Sequence, residues 1–184
     1  MNAASPVEVL DFWFKEISRD RWFDSDPEFD AELRRRFEET WRAARDGKLK
    51  DWEKTRDGAL ALVIVLDQFP RNMFRSTAQA FSTDALAREV TQRALAQGFD
   101  LDASPDAKNF LYLPLMHSER LADQETCVRL TRERLGENHS SYPFALRHRD
   151  AIARFGRFPA RNRALSRANT PDEEEFLKKH PLGF

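Results

Sequence analysis

Apolar residues along this 184-residue chain recur every three or four positions, and helix caps punctuate them. Ser5-Pro6-Val7-Glu8 has the capping-box pattern with proline at the first helical position, and Leu10, Trp13, Phe14 and Ile17 follow as one stripe of a short helix. Asp26-Pro27-Glu28 opens a second helix with the stripe Phe29, Leu33, Phe37, Trp41 and Ala44, closed at Gly47, and Leu49 to Trp52 reads as one further turn. The run from Ala59 to Leu66 is apolar throughout. It would suit a buried strand, but no other segment offers a partner, and a lone strand leaves its backbone groups unsatisfied. The pattern therefore predicts a buried helix, bounded by Pro70 because the residue before a proline resists the α region.

Four more helices and a short last one follow from the caps. Ser82-Thr83-Asp84 opens a helix closed by Gly98, and Ser104-Pro105-Asp106 opens one that Pro114 kinks or ends. Ser118 caps a helix through Leu121, Val128 and Leu135 to Gly136. Ser140 or Ser141 starts one that reaches Phe155 and stops at Gly156, and Thr170-Pro171-Asp172-Glu173 repeats the capping-box pattern. The expectation is an all-α fold of about eight helices in antiparallel hairpins, one domain over residues 1–184, with short loops and no linker.

Charge narrows the function classes. Thirty Lys and Arg against 31 Asp and Glu leave a net charge of -1, so no nucleic-acid partner is expected. The single cysteine, Cys127, excludes a disulfide framework and a Cys-based zinc cluster, and it fits a reducing compartment. Gly58 to Leu66 is far too short an uncharged stretch to span a bilayer. The N-terminal residues lack a basic n-region and an apolar h-region, so a cytoplasmic protein without membrane association is expected.

The candidate chemistry lies in polar groups set among apolar ones. Asp67 directly follows the most apolar run, where a carboxylate is either paired with a nearby arginine, Arg71 or Arg75, or has a raised pKa. His117, followed by Ser118 and Glu119, sits at a helix boundary and is suited to general acid–base work or to bonding a carbonyl. His148 is a second such group, and it does not face Asp150 on a helix. Gln68-Phe69-Pro70-Arg71-Asn72 is echoed by Arg157-Phe158-Pro159-Ala160-Arg161-Asn162. The echo is a shared helix-exit device, or it delivers an arginine from each turn to one site.

From Arg147 to Arg167 there are seven arginines, one acidic residue and no lysine. Arginine is favoured over lysine where bidentate contact with carboxylate or phosphate matters. The cluster therefore reads as an internal salt-bridge web or a site for a small anion. No His-Glu-x-x-His, calcium-loop, glycine-rich phosphate loop or Gly-x-Ser-x-Gly pattern occurs, so no metal or cofactor is expected and hydrolysis is favoured over redox chemistry.

Phe12-Trp13-Phe14, Trp22-Phe23, Leu66 to Asn72, Leu113-Pro114, His117-Ser118-Glu119 and Phe155 to Asn162 together resemble a largely bacterial family, domain of unknown function 924, over nearly the whole chain. The resemblance implies a tetratricopeptide-like helical fold and no established activity. The chain itself lacks the usual tetratricopeptide consensus. Where the family commonly has histidine in its last motif, this chain has Ala160, so no mechanism can rest on that position.

These readings define one candidate site. His117, Glu119 and Asp67 would do the chemistry, and Arg71, Asn72, Arg75, His148, Arg157, Arg161 and Asn162 would line a pocket for a small anionic molecule. The rival reading is a helical scaffold that binds a peptide or protein partner in an apolar groove.

Overall fold

The computed structural model describes residues 3–24 and 26–181, so Met1 and Asn2 of the N-terminal stretch lie outside it. The fold is all-α, with no strand among the described residues. α1 (Pro6–Asp11) starts at the Ser5 capping box and continues into a π turn, Phe12–Glu16. After a 3-10 turn (Arg19–Trp22), α2 (Pro27–Arg45) begins at Asp26, whose carboxylate accepts the N–H groups of Glu28 and Phe29.

The apolar run is helical, as its lack of a pairing strand requires. α3 (Arg56–Val63), a π turn (Ile64–Gln68) and α4 (Phe69–Met73) form one continuous rod that is almost wholly buried. Gly58 admits it beneath the preceding turn, since a Cβ there would lie 2.2 Å from the Trp52 carbonyl oxygen. α1 packs on α3, and α2 on α4. Phe12, Phe37 and Phe69 interlock there, with Phe37 at 4.9 Å ring separation from each of the other two. A buried aromatic of this kind is worth about 3–5 kcal/mol against alanine.

Pro70 does not end the rod, contrary to the sequence expectation. The helix widens by one residue just before it, so Phe69 N–H bonds Ile64 O five residues back. The carbonyl four residues before Pro70, that of Leu66, accepts the Thr83 hydroxyl at 2.6 Å instead of the N–H that proline lacks. Side-chain repair of this kind keeps a helix running through proline.

The second half is a run of antiparallel helices: α5 (Asp84–Ala96), α6 (Pro105–Met116), α7 (Leu121–Arg134) and α8 (Ser141–Phe155). α6 packs on α5, α7 and α8, and α7 lies along α8. Pro114 sits inside α6, which ends two residues later. Ser118 does not cap α7. Its hydroxyl bonds Asp123 and accepts the Arg120 N–H, while Arg120 takes the N-cap position. α8 leaves through Gly156 at φ +70°, a left-handed exit that suits glycine. A 3-10 turn (Pro159–Arg161) then leads to α9 (Pro171–Lys179), which starts at the Thr170 capping box. Cys127 is buried, and burial pushes its thiol up to about 12, which makes it a core residue.

Candidate functional site

The rod's π turn places Asp67 at full burial. Three groups satisfy its carboxylate and its carbonyl. His117 Nδ1 donates to the carboxylate at 2.9 Å, Arg71 Nη1 lies 3.2 Å from Oδ1, and Gln68 Nε2 donates to Oδ2. The Arg71 guanidinium also donates to the Asp67 carbonyl at 2.5 Å. Burial pushes the Asp67 carboxyl up, but Arg71, His117 and Gln68 outweigh it and hold it below the usual carboxylate range.

His117 is the C-cap of α6. Burial, then the Arg71 charge, lowers its pKa to about 4 against the opposing pull of Asp67. At neutral pH the contact is thus a neutral imidazole donating to a carboxylate, not an ion pair. The Nδ1 proton is committed to Asp67, and the lone pair is on Nε2.

The two Phe-Pro turns meet on one carboxylate. Arg71 holds Asp84 bidentately, at 2.9 and 3.0 Å, and Arg161 Nη1 reaches Asp84 Oδ2 at 3.3 Å. Arg161 is sandwiched between Phe81 and Phe158, at 4.8 and 4.4 Å from the ring centroids. Burial, with Arg71 nearby, lowers its pKa to about 10. Among the described residues, Asp84 is the only hydrogen-bond partner of its guanidinium.

Beside the dyad opens a cleft of about 530 Å³, within the usual range for small-molecule sites. His117, His139 and His148, three of the chain's four histidines, all line it. His148 lies with its ring centroid 6.4 Å from that of His117, and its Nδ1 donates to the Phe144 carbonyl at 2.9 Å. Burial lowers its pKa to about 4, despite that bond. His139 has the opposite tautomer. Its Nδ1 accepts the Ser141 N–H at 3.2 Å, which leaves the proton of the neutral ring on Nε2.

The other expected ligands are committed elsewhere and do not line the cleft. Arg75 pairs with Asp30 and Asn72, and Arg157 pairs with Glu173. Glu119 does not reach His117's ring. It accepts the Phe158 N–H and a bidentate Arg167, which outweigh burial and lower its pKa. Asn162 is buried and bonds Asn169, Glu173 and Arg167. Arg71 and Arg161 stand behind the histidines, so among the described residues the only arginine lining the cleft is Arg19, itself paired with Asp106. One physical reason is common to the arginines: each charge is held by a carboxylate of its own chain. Among the described residues no group of three or more His, Cys, Asp or Glu could hold a metal ion.

The description "Bacterial protein of unknown function (DUF924)" belongs to a family whose model matches residues 9–181. The chain is a member of the DUF924 family. A solved structure of a protein of unknown function from Agrobacterium tumefaciens is 39% identical, covers 95% of this chain and 97% of its own, and superposes with a TM-score of 0.89. No curated protein matches. DUF924 membership confirms the resemblance read from the motifs, and it assigns no function.

Two residues escaped the sequence reading of this DUF924 chain. Asp84 reads as a helix-opening acid, yet it joins both arginines. His139 lies in the loop before α8, and only its place just ahead of the Ser140-Ser141 helix start could have flagged it.

Proposed function

We propose that the cleft is the active site of a hydrolase in which His117 Nε2 is the general base. One observation carries this reading: a fully buried carboxylate, Asp67, fixes the His117 tautomer, so that the lone pair is on the nitrogen left for the cleft. A carboxylate behind a histidine orients the ring and stabilises the imidazolium that forms on proton uptake. Water gives its proton to Nε2 as its oxygen attacks the carbonyl or phosphoryl centre, and the imidazolium returns a proton to the leaving group. His139, with its proton on Nε2, supplies a donor in the same cleft.

The Arg161 charge, felt at His117 and His148 from behind and bonded through one 3.3 Å contact to an Asp84 oxygen shared with Arg71, favours an anionic group in the cleft. Absence of nucleic-acid binding is supported by the pairing of Arg149, Arg154, Arg157, Arg161 and Arg167 with carboxylates. The tetratricopeptide-like description is supported by the successive pairing of α5 to α8, and the single-domain description by the main core drawing residues from α1 through α8. A cytoplasmic setting is supported by the lone thiol, Cys127. The scaffold reading has less behind it. The second cavity, lined by Leu62, Leu66, Leu86 and Val90, holds about 410 Å³, and its rim charges Glu53, Glu89 and Arg93 already pair with one another.

A panel of carboxylic, thio- and phosphate esters tests the proposal. Turnover is expected to fall by about 10²–10⁴-fold in His117→Gln, the usual worth of a general base. Full activity in that variant would remove His117 from the chemistry.

A further inference from the structure

Phe23 and Phe144 are the only exposed phenylalanines among the described residues, at 67% and 43% exposure, and both line the His117 cleft. Phe23 is held by stacking on Phe110, at 6.2 Å and 16° between rings, and Trp22 next to it bonds the Trp13 carbonyl through Nε1 at 2.8 Å. Phe23 is thus anchored to the core, and Phe144, with the Arg147 guanidinium 5.3 Å from its ring centroid, completes an aromatic edge that water still reaches. Leu113 and Met116 of α6 extend the apolar wall towards His117.

The cleft also has a polar side. Ser141 Oγ donates to Asn109 Oδ1 at 2.6 Å, which directs the amide's own N–H groups away from that contact. Asn109 and His139 then offer donors, and His117 Nε2 offers an acceptor. A purely apolar ligand would leave these groups unmatched, at a cost in binding. A small fully polar ligand would leave two phenylalanines in water.

We propose that the cleft takes a small amphiphile, with an aryl or acyl group on the Phe23–Phe144 wall and a carbonyl, carboxylate or phosphoryl oxygen that accepts from Asn109 and His139, leaving the His117 Nε2 lone pair for the attacking water. The inference deepens the hydrolase reading by naming its substrate class, and it rests on that reading only for the turnover of such a molecule. The volume of about 530 Å³ favours a small molecule over a second protein chain.

Calorimetric titration with 2-naphthoate and with acetate separates the apolar from the anionic contribution. Naphthoate is expected to bind with a negative heat-capacity change, at least about a hundredfold more tightly than acetate. Phe23→Ser and Phe144→Ser, both at exposed positions, are each expected to weaken naphthoate about tenfold. His117→Gln is expected to keep naphthoate affinity within about threefold while turnover of any active ester is lost. Naphthoate no tighter than acetate, or affinity unmoved in both serine variants, overturns the substrate class. A dimer that either serine variant converts to monomer overturns it too, since the wall is then a self-interface. Phenylalanine-dependent naphthoate binding together with turnover that survives His117→Gln upholds the substrate class and rejects the general base.

Discussion

The two Phe-Pro turns begin from nearly the same residues and arrive at different work. At Phe69-Pro70 the chain stays helical, because a π turn and the Thr83 hydroxyl replace the bond that proline removes. At Phe158-Pro159 it makes one 3-10 turn after the left-handed exit of α8. The asparagines keep a common role, each accepting a guanidinium: Asn72 from Arg75 at 2.6 Å, Asn162 from Arg167 at 2.9 Å. The difference lies one helical turn before the arginine. Arg71 has Asp67 there, whereas Arg161 has Arg157, whose guanidinium turns away to Glu173. One turn therefore supplies the carboxylate that orients His117, and the other supplies a cation whose salt bridge goes to an Asp84 already held by Arg71. A shared motif encodes a local device, and the charge beside it decides what that device serves.

The strongest way to break this contrast is to remove Asp67. Asp67→Ala leaves the Arg71 charge with Asp84 alone and is expected to cost roughly 3–5 kcal/mol, read by urea denaturation. A loss near 1 kcal/mol would put the carboxylate in the class of exposed pairs. The second test is pH. Folded His117 and His148 take a proton only near pH 4, while unfolded histidine takes one near 6.5. Unfolding therefore binds protons between those values, and stability falls as pH drops from 6.5 towards 4. Thermal melts between pH 7 and 4.5 should show this slope, and His117→Gln with His148→Gln should flatten it. A slope that persists in the double variant assigns the protons elsewhere.

The asparagines give the smallest and finest comparison. Asn162 is nearly inaccessible and has three hydrogen-bond partners, whereas Asn72 accepts one guanidinium bond. Asn162→Ala is expected to cost about 2–3 kcal/mol and Asn72→Ala about 1 kcal/mol. Equal losses would mean that the two turns are interchangeable supports.

Most helix starts were legible because a cap is a local code. Ser5, Asp26, Ser104 and Thr170 each accept the N–H groups that their positions predict. The burial of Asp67 against an arginine was legible as one of two readings, since a carboxylate after an apolar run needs a partner or a raised pKa, but the choice of Arg71 over Arg75 was not. Pro70 misled because its remedy, Thr83, is distant in sequence. Asp84 and His139 were hidden for the same reason: their roles arise only when α5 is brought against the rod and the loop before α8 is brought beside α6. The arginine-rich segment was legible as charge, with a salt-bridge web as one of its two readings, but its partners were not, because Glu119 and Glu173 lie outside it.

The π turn at Ile64–Gln68 has an evolutionary arithmetic. A widened turn is one residue more than the regular helix needs. In a regular helix the loss of one residue turns everything downstream by about 100°. Here the widened turn holds the surplus residue, so deleting one residue within it would close the turn to ordinary α geometry and leave Phe69 between Phe12 and Phe37 and Arg71 on Asp84. The turn is therefore the place in the rod where a chain of this fold can change its number of residues at least cost to the core, and the backbone around Asp67 is what such a change would alter.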